Sequence, residues 1–291
     1  MRFVKGHGTQ NDFLLLPDLD GEIDLTPAAV RAVCDRRAGI GADGVLRVVR
    51  AAKHPESADL AADAKFFMDY RNADGSVAEM CGNGVRVFLR YLIAAGLVEQ
   101  SAAVATRGGI RSARALGDGN VSVQMGLPRF LADRPIVTAA STSVAQLPPL
   151  EATALLVPNP HVVVELPDTD TLDALDLRAA PVVEAPLPDG QNVEFVVRRG
   201  PRHLAMRVHE RGSGETRSCG TGICAAAVAL ARTDPEPVEG PTRWRVDVPG
   251  GTCEVAWGPD GELELLGPAV LVGEVDIDER WLAEQQIEHG R

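Results

Sequence analysis

Two cysteines in this chain stand in the same short pattern, a cysteine followed by glycine, any residue and a second glycine. The pattern reads C-G-N-G at residues 81–84 and C-G-T-G at residues 219–222, and an apolar, helix-like run follows each copy. A sulfur at a helix N-terminus lies among unpaired backbone N–H groups, which stabilise a thiolate. The same N–H groups can hold a carboxylate, because glycine lets a ligand approach the backbone closely. The pattern therefore predicts two reactive thiols, each at an anion-binding helix N-terminus.

Two thiols that address opposite faces of one carbon can invert its configuration. One sulfur, as thiolate, removes a proton, while the other, as thiol, delivers one to the opposite face, and the pair titrates as a coupled unit. N–H groups at the helix termini would stabilise the carbanion through the substrate carboxylate. A cysteine hydrolase needs one cysteine and a positioned histidine, so it leaves the second copy unexplained, and neither copy continues as a phosphate-binding loop. The pattern favours a two-base proton transfer over both alternatives.

The two copies belong to a longer internal repeat. The cysteines are 138 positions apart (219 − 81), and V-A-T-R-G-G at residues 104–109 is echoed by V-D-V-P-G-G at residues 246–251, an offset of 142 (246 − 104). Several echoes in the same order at nearly one offset indicate two copies of one fold.

Each half predicts one central helix surrounded by short strands. The helix of the first half spans residues 85–96 and ends at a glycine, and that of the second half spans 223–231 and is apolar on every side, which is typical of a buried helix. The strands are predicted at residues 3–4, 13–16, 44–49, 65–70, 121–125, 154–157, 161–166, 192–197, 204–208, 244–248, 252–257 and 262–266. The loops are predicted at residues 51–64, 131–150 and 233–242.

We therefore expect the α+β fold class, with two pseudo-symmetric domains. Each domain is a curved, mostly antiparallel β-sheet or barrel wrapped around its central buried helix, with the active site in the cleft between them. The first domain is predicted to span residues 1–127, with the C-terminal segment 272–291 returning to it. The second domain is predicted to span residues 128–271.

Composition excludes several other classes of protein. The chain has 291 residues, of which 41 are acidic and 29 basic, so its net charge is −12 (29 − 41). Such an acidic chain is not expected to bind nucleic acid, and no apolar run is long enough for a membrane helix. Without a visible secretion signal the chain is expected to be cytoplasmic. No C-x-x-C pair or other metal-ligand cluster appears, so no metal is expected, and Cys34, Cys224 and Cys253 are interpreted as structural.

Further motifs make the sequence resemble the diaminopimelate epimerases, which are cofactor-independent amino-acid epimerases of the lysine and peptidoglycan pathways. The resemblance covers nearly the whole chain. The motifs that carry it are K-G-H-G-T-Q-N-D-F at 5–13, G-I-G-A-D-G at 39–44, Y-R-N-A-D-G-S at 70–76, M-C-G-N-G-V-R at 80–86, N-P-H at 159–161, E-R-G-S-G-E-T at 210–216 and S-C-G-T-G at 218–222.

The resemblance implies an isomerase whose Cys81 donates a proton and whose Cys219 accepts one in the L,L to meso direction, with the roles exchanged in reverse. It also implies His161 and Glu210 as residues that tune the thiol pKa values, no cofactor, and a homodimer. The substrate contacts that it implies come from Asn11, Asn72, Gly82, Asn83, Asn159, Asn192, Glu210, Arg211, Gly220 and Thr221. These residue types suit a substrate with two carboxylates and two ammonium groups, Arg211 binding the distal carboxylate and Glu210 the ammonium at the reacting centre.

Two positions depart from the family pattern. Many members carry glutamine where this chain has Gly44, so a substrate contact there is absent or replaced. A tyrosine used for dimer contacts in some members is expected where this chain has Gly273, so a dimer through the usual surface of the family would lack that contact.

Three alternatives share part of this evidence. A proline or hydroxyproline racemase would have the same fold and a cysteine pair, but the motifs at 70–76 and 210–216 argue against it. The isomerases of the phenazine pathway lack the paired cysteines. A non-catalytic amino-acid-binding protein would need only the hydrogen-bond donors, so two thiols in matched positions count against it.

Overall fold

Strands outnumber helices throughout the computed structural model, which describes residues 1–132, 134–142, 147–234 and 242–288. The chain divides into two compact units, Met1–Val123 with Pro268–Arg291, and Gln124–Gly267. The boundaries predicted from the sequence, after residues 127 and 271, each lie four positions further along (127 − 123 and 271 − 267).

The strands and helices have the following bounds. The strands are β1 Arg2–Gly8, β2 Asn11–Pro17, β3 Gly44–Arg50, β4 Phe66–Asn72, β5 Ser101–Thr106, β6 Gly109–Ala115, β7 Asn120–Gly126, β8 Arg129–Phe130, β9 Ile136–Thr138, β10 Leu150–Glu151, β11 Thr153–Val157, β12 Asn159–Glu165, β13 Val182–Glu184, β14 Asn192–Gly200, β15 His203–Glu210, β16 Gly214–Thr216, β17 Thr242–Val248, β18 Gly251–Trp257, β19 Leu263–Pro268 and β20 Val270–Asp276. The helices are α1 Pro27–Cys34, α2 Gly82–Ala94, α3 Thr169–Asp173, α4 Gly220–Arg232 and α5 Glu279–Glu288.

In the first unit, each strand from β1 to β6 pairs with the strand that follows it in the chain. An antiparallel hairpin of β1 and β2 is followed by β3, which lies parallel to β2, and by β4, antiparallel to β3. Strand β5 lies parallel to β4, and β6 and β7 continue antiparallel. The C-terminal strand β20 pairs antiparallel with β1.

The second unit repeats this order strand for strand. Strands β11 and β12 form the hairpin, β14 lies parallel to β12, and β15 is antiparallel to β14. Strand β17 lies parallel to β15, β18 and β19 follow antiparallel, and β8 pairs with β11 as β20 pairs with β1. The two copies of the internal repeat found in the sequence thus have the same sheet topology.

A helix lies at the centre of each unit, where the strands cover its apolar surface. Helix α2 packs against β1, β2, β3, β5, β6 and β20, and α4 packs against β11, β12, β14, β15, β17 and β18. Every residue of α4 from Gly220 to Leu230 is buried, as expected of a helix that is apolar on all sides. The predicted α+β class, with two similar units built mostly from antiparallel strands around a buried helix, is confirmed.

The differences from the prediction are mainly additional elements. Both central helices begin three residues earlier than predicted, directly after the cysteine, and α2 is followed by Gly96 at a φ of +67°. Strands β5, β6, β8, β13, β16 and β20 and helices α1, α3 and α5 were not predicted. The loop prediction for 131–150 is wrong at β9 and β10, which form a small sheet with β13, and two short 3-10 turns interrupt 51–64. Residues 133, 143–146 and 235–241 of the predicted loops lie outside the described residues.

No helix in the described part of the chain is both long enough and apolar enough to cross a membrane.

Candidate active site

Cys81 is the N-cap residue of α2. Its sulfur accepts a hydrogen bond from the Gly84 N–H at 3.4 Å and donates one to Asn11 Oδ1 at 3.6 Å. The residue is half-buried. The structure thus places this thiol at a helix N-terminus, as predicted. At this end of a helix the dipole favours negative charge.

The orientation of the Asn11 amide follows from its other partners. Its nitrogen donates to Asp43 Oδ2 at 2.8 Å, and its oxygen accepts from Asn83 Nδ2 at 3.2 Å as well as from the thiol. The Arg36 guanidinium bridges Asp43 and Asp12 and so holds the carboxylate in place. Because a carboxylate only accepts hydrogen bonds, Asp43 turns the amide oxygen of Asn11 toward Cys81.

Asn72 ends β4 opposite Gly44, the first residue of β3. Its side-chain nitrogen donates to Ser76 Oγ at 3.0 Å, so within this unit the structure does not join Asn72 to the group around Cys81. A Cβ atom at Gly44 would lie 2.4 Å from the Arg71 carbonyl oxygen. The backbone therefore leaves no room for a side chain at position 44 unless it shifts.

Cys219 is the N-cap residue of α4 and has the same backbone hydrogen bond as Cys81. Its sulfur accepts from the Gly222 N–H at 3.4 Å and lies 3.4 Å from Thr221 Oγ1. Burial raises the pKa of this thiol well above its ordinary value, and the charges of Glu210 and Glu194 raise it further, against the hydrogen bonds of Thr221 and Gly222. This thiol is thus the more deeply buried of the two and is surrounded by acidic groups.

Glu210 is the last residue of β15 and lies beside Cys219, and Arg211 directly follows it in the chain. The Glu210 carboxylate accepts hydrogen bonds from the Thr216 hydroxyl and the Cys219 thiol, and burial raises the pKa of the carboxyl group. The Arg211 N–H donates to Asn192 Oδ1 at 2.9 Å, which joins two of the predicted binding residues. Its guanidinium donates to the Asp189 carbonyl oxygen.

His161 and Glu194 form a buried pair on neighbouring strands, β12 and β14. His161 Nδ1 lies 2.7 Å from Glu194 Oε1, and both side chains are fully buried. Glu194 was not singled out from the sequence, although it lies two residues after Asn192 and so on the same face of β14. A carboxylate within the otherwise apolar run of residues 193–197 was the available signal.

The structure brings most of the predicted residues together in two groups, one in each unit, which we call half-sites. The first contains Cys81, Gly82, Asn83 and Asn11, and the second contains Cys219, Gly220, Thr221, Glu210, Arg211 and Asn192. Asn159 begins β12 opposite Val157, two residues before His161. Among the described residues, no group of three or more His, Cys, Asp or Glu side chains could hold a metal ion.

Solved structures of phenazine biosynthesis proteins and of a probable proline racemase share this fold. A phenazine biosynthesis protein of the PhzF family from Bacillus anthracis aligns with a TM-score of 0.66 at 16% identity, covering 96% of this chain and 99% of that one. A probable proline racemase from Agrobacterium radiobacter K84 aligns with a TM-score of 0.64 at 15% identity, covering 96% and 93%. At these identities the likeness shows the fold alone.

Sequence comparison identifies the family within this class. The diaminopimelate epimerase family model matches residues 3–131 and 153–272. Proteins named diaminopimelate epimerase from Streptomyces coelicolor and Thermobifida fusca are 55% and 50% identical, covering 96% and 95% of this chain and 96% and 98% of their own lengths. The chain belongs to the diaminopimelate epimerase family.

Proposed function

We propose that this protein is an isomerase that interconverts L,L- and meso-diaminopimelate, with Cys81 and Cys219 as its two acid–base groups. The observation that carries the proposal is the matched capping of α2 and α4, in which each cysteine sulfur accepts the N–H of the glycine three residues later at 3.4 Å. Family membership supports the same reaction. The meso product would serve lysine and peptidoglycan synthesis.

In the L,L to meso direction, the Cys219 thiolate removes the α-proton, and the electron pair of the broken C–H bond is delocalised into the substrate carboxylate. The Cys81 thiol then gives its proton to the opposite face of the carbon, which leaves Cys219 as thiol and Cys81 as thiolate. The reverse reaction uses these two forms with the roles exchanged. Both proton transfers come from side chains of this chain, so we propose that the reaction needs no cofactor.

Substrate recognition is assigned to the groups around the two helix N-termini. The backbone N–H groups of Gly82, Asn83, Gly220 and Thr221 are suited to the carboxylate at the reacting centre. Asn11, Asn72, Asn159 and Asn192 supply amide donors and acceptors. Glu210 is assigned to the ammonium group and Arg211 to the distal carboxylate, which a guanidinium binds with two parallel hydrogen bonds.

We further propose that the protein acts in the cytoplasm as a homodimer that uses β20. This strand pairs with β1 along one edge, and Val270 and Val272 expose 42% and 64% of their surface. An exposed strand with apolar side chains is a surface on which a second chain can pair.

Replacing either active thiol tests the proposed reaction. Cys81→Ala and Cys219→Ala should each lower the rate of epimerisation by at least about 10²–10⁴-fold, the contribution of a positioned acid or base. Cys34→Ala and Cys224→Ala are matched controls, because each removes another buried cysteine, one from the first unit and one from α4 itself. NMR of diaminopimelate in D2O measures both inversion and α-proton exchange. Wild-type protein that binds the substrate without exchange would show a binding protein instead.

A further inference from the structure

The buried pair of His161 and Glu194 has features that stability alone does not explain. Beyond their mutual 2.7 Å contact, His161 Nε2 and Glu194 Oε2 have no hydrogen-bond partner within the described residues. A buried ionisable pair with unsatisfied atoms contributes less to stability than apolar residues of similar volume. Such a pair therefore indicates a role in the chemistry of its surroundings.

The Glu194 carboxylate lies against the first turn of α4, beside Cys219. A Cβ atom built on Gly222 would lie 2.6 Å from Glu194 Oε1 and 3.3 Å from the Cys219 Cβ. Gly222 is also the residue whose N–H donates to the Cys219 sulfur. The carboxylate thus occupies the space that the missing side chain of Gly222 leaves open next to the thiol.

The internal repeat provides a comparison, because the first unit has the same strands without the charges. Phe13 pairs with Gly44 in the β2–β3 ladder, as His161 pairs with Asn192 in the β12–β14 ladder. Phe13 is therefore the counterpart of His161.

Two residues further along β3 and β14 stand Leu46 and Glu194. Leu46 is the side chain that faces Gly84, at 3.4 Å from a Cβ built there, just as Glu194 faces Gly222. Only the thiol of the second unit has a carboxylate and an imidazole at these positions.

We infer that Glu194 is a positioning residue of the Cys219 half-site, which fixes the His161 ring and places a negative charge beside the thiol, so that Cys219 loses its proton after Cys81. The carboxylate accepts from His161 Nδ1–H and so selects the tautomer of the ring. The inference rests on the proposed function for its catalytic meaning. The free enzyme would rest with a Cys81 thiolate and a Cys219 thiol, the form that takes the meso isomer.

Burial and charge outweigh the groups that oppose this order. The hydrogen bonds of Thr221 and Gly222 lower the pKa of the Cys219 thiol, but Cys81 has a bond from Gly84 that matches the one from Gly222. Glu210 on β15 adds a second negative charge, and both carboxylates raise the pKa of the thiol, together with burial. The remaining strands packed on α4 are β11, β17 and β18. Their buried residues include Leu155, Val157, Trp244, Val246, Val248, Cys253 and Val255, which bring no fixed charge. Among the buried described residues on all the strands packed against α4, His161 is the one imidazole, and Glu194 holds it.

The order of ionisation can be measured without turnover. Iodoacetamide alkylates thiolates, so the pH dependence of its reaction with each cysteine, followed by mass spectrometry of peptides, gives the midpoint of each thiol. In the wild-type protein the Cys219 midpoint should lie above that of Cys81. In Glu194→Gln and in Glu194→Leu, which copies Leu46, the Cys219 midpoint should fall by about one pH unit, the effect of removing a nearby like charge. The Cys81 midpoint should stay where it is.

Glu165→Gln is the matched control, because this carboxylate lies on β12 but is ion-paired with Arg198 at the surface, where 44% of its side chain is exposed. It should leave both midpoints unchanged. A wild-type Cys219 midpoint at or below that of Cys81 would overturn the inference even if the Glu194 variants do not fold. Folded Glu194 variants with an unchanged Cys219 midpoint would overturn it as well. Absence of epimerisation in the wild type would refute the proposed function and leave these midpoints as a separate result.

Discussion

At the scale of single residues, we propose that discrimination between substrates depends on the side chain of Arg211. Its backbone is tied to Asn192 at 2.9 Å, and its guanidinium extends past Gly190 to the carbonyl oxygen of Asp189. This tether presents the flat guanidinium group in one orientation. Lysine would keep the charge but not the two parallel donors.

Arg211→Lys should therefore lower kcat/KM for diaminopimelate by about 10–100-fold, as expected when one or two hydrogen bonds from a charged group are lost. The preference for diaminopimelate over lysine, which lacks the distal carboxylate, should narrow by a similar factor. Deuterium wash-in measures kcat/KM for both compounds, and Arg243→Lys at the surface serves as the control. An unchanged preference for diaminopimelate over lysine would mean that Arg211 does not bind the distal carboxylate.

Residue identity alone predicted the two thiols, because the glycine pattern forces a helix N-terminus at each of them. It did not predict Glu194 or Asp43, since both act through neighbours that are distant in sequence. Glu194 meets His161 through a parallel ladder 33 residues away, and Asp43 meets Asn11 across 32 residues. A local sequence pattern does not specify which residues of distant strands lie side by side.

At the scale of elements, the equivalent glycines of α2 and α4 differ in what surrounds them. A Cβ atom on Gly84 would meet its nearest neighbours, Cys81 and Leu46, at 3.4 Å, which is ordinary contact. On Gly222 it would lie 2.6 Å from the Glu194 carboxylate, which His161 holds in place. The same substitution should therefore have different effects in the two helices.

Gly222→Ala should lower the free energy of unfolding by about 1–3 kcal/mol, the usual effect of overpacking a buried site. Gly84→Ala should leave it unchanged or raise it by up to about 1 kcal/mol, because alanine favours a helix over glycine. Urea denaturation followed by circular dichroism gives both values. Equal losses in the two variants would mean that the Glu194 carboxylate does not occupy this space.

The predicted elements were those with a strong apolar pattern. Strands β3 and β14 and helix α4 are nearly all buried, and their sequences show it. Strands β6 and β20 were missed because most of their residues are exposed or half-buried, so no alternation marks them. Helix α1 has a start that is visible in the sequence, Thr26 as N-cap before Pro27.

At the scale of the whole molecule, the repeat explains why two distant stretches of sequence each place a cysteine at the N-terminus of a buried helix. Each copy of the sheet surrounds one helix and places one cysteine at its N-terminus. This duplication could be predicted from a few glycines and cysteines in the sequence, because few other residues can take their places at the start of these helices. The strand order within each copy came only from the structure, since many short strands can be paired in several ways.

The proposed homodimer belongs to this scale as well. Light scattering should give a mass about twice the 30.9 kDa of one chain. Val272→Glu should shift the protein toward the mass of one chain, because it places a charge on the exposed strand β20. Val182→Glu is a control at another exposed valine, in the second unit. A wild-type protein that scatters as a single chain at micromolar concentration would contradict the dimer.

The first turnovers in D2O test the two-base reaction most directly. If Cys219 removes the proton and Cys81 delivers another, meso-diaminopimelate formed from the L,L isomer carries solvent deuterium at the inverted carbon from the start. The L,L isomer recovered at the same early time keeps its original hydrogen, because the group that returns a proton to that face is the one that has just accepted it. NMR and mass spectrometry of the two separated isomers give the labels. Deuterium appearing equally early in the recovered L,L isomer and in the product would show that a single base serves both faces, which contradicts the account.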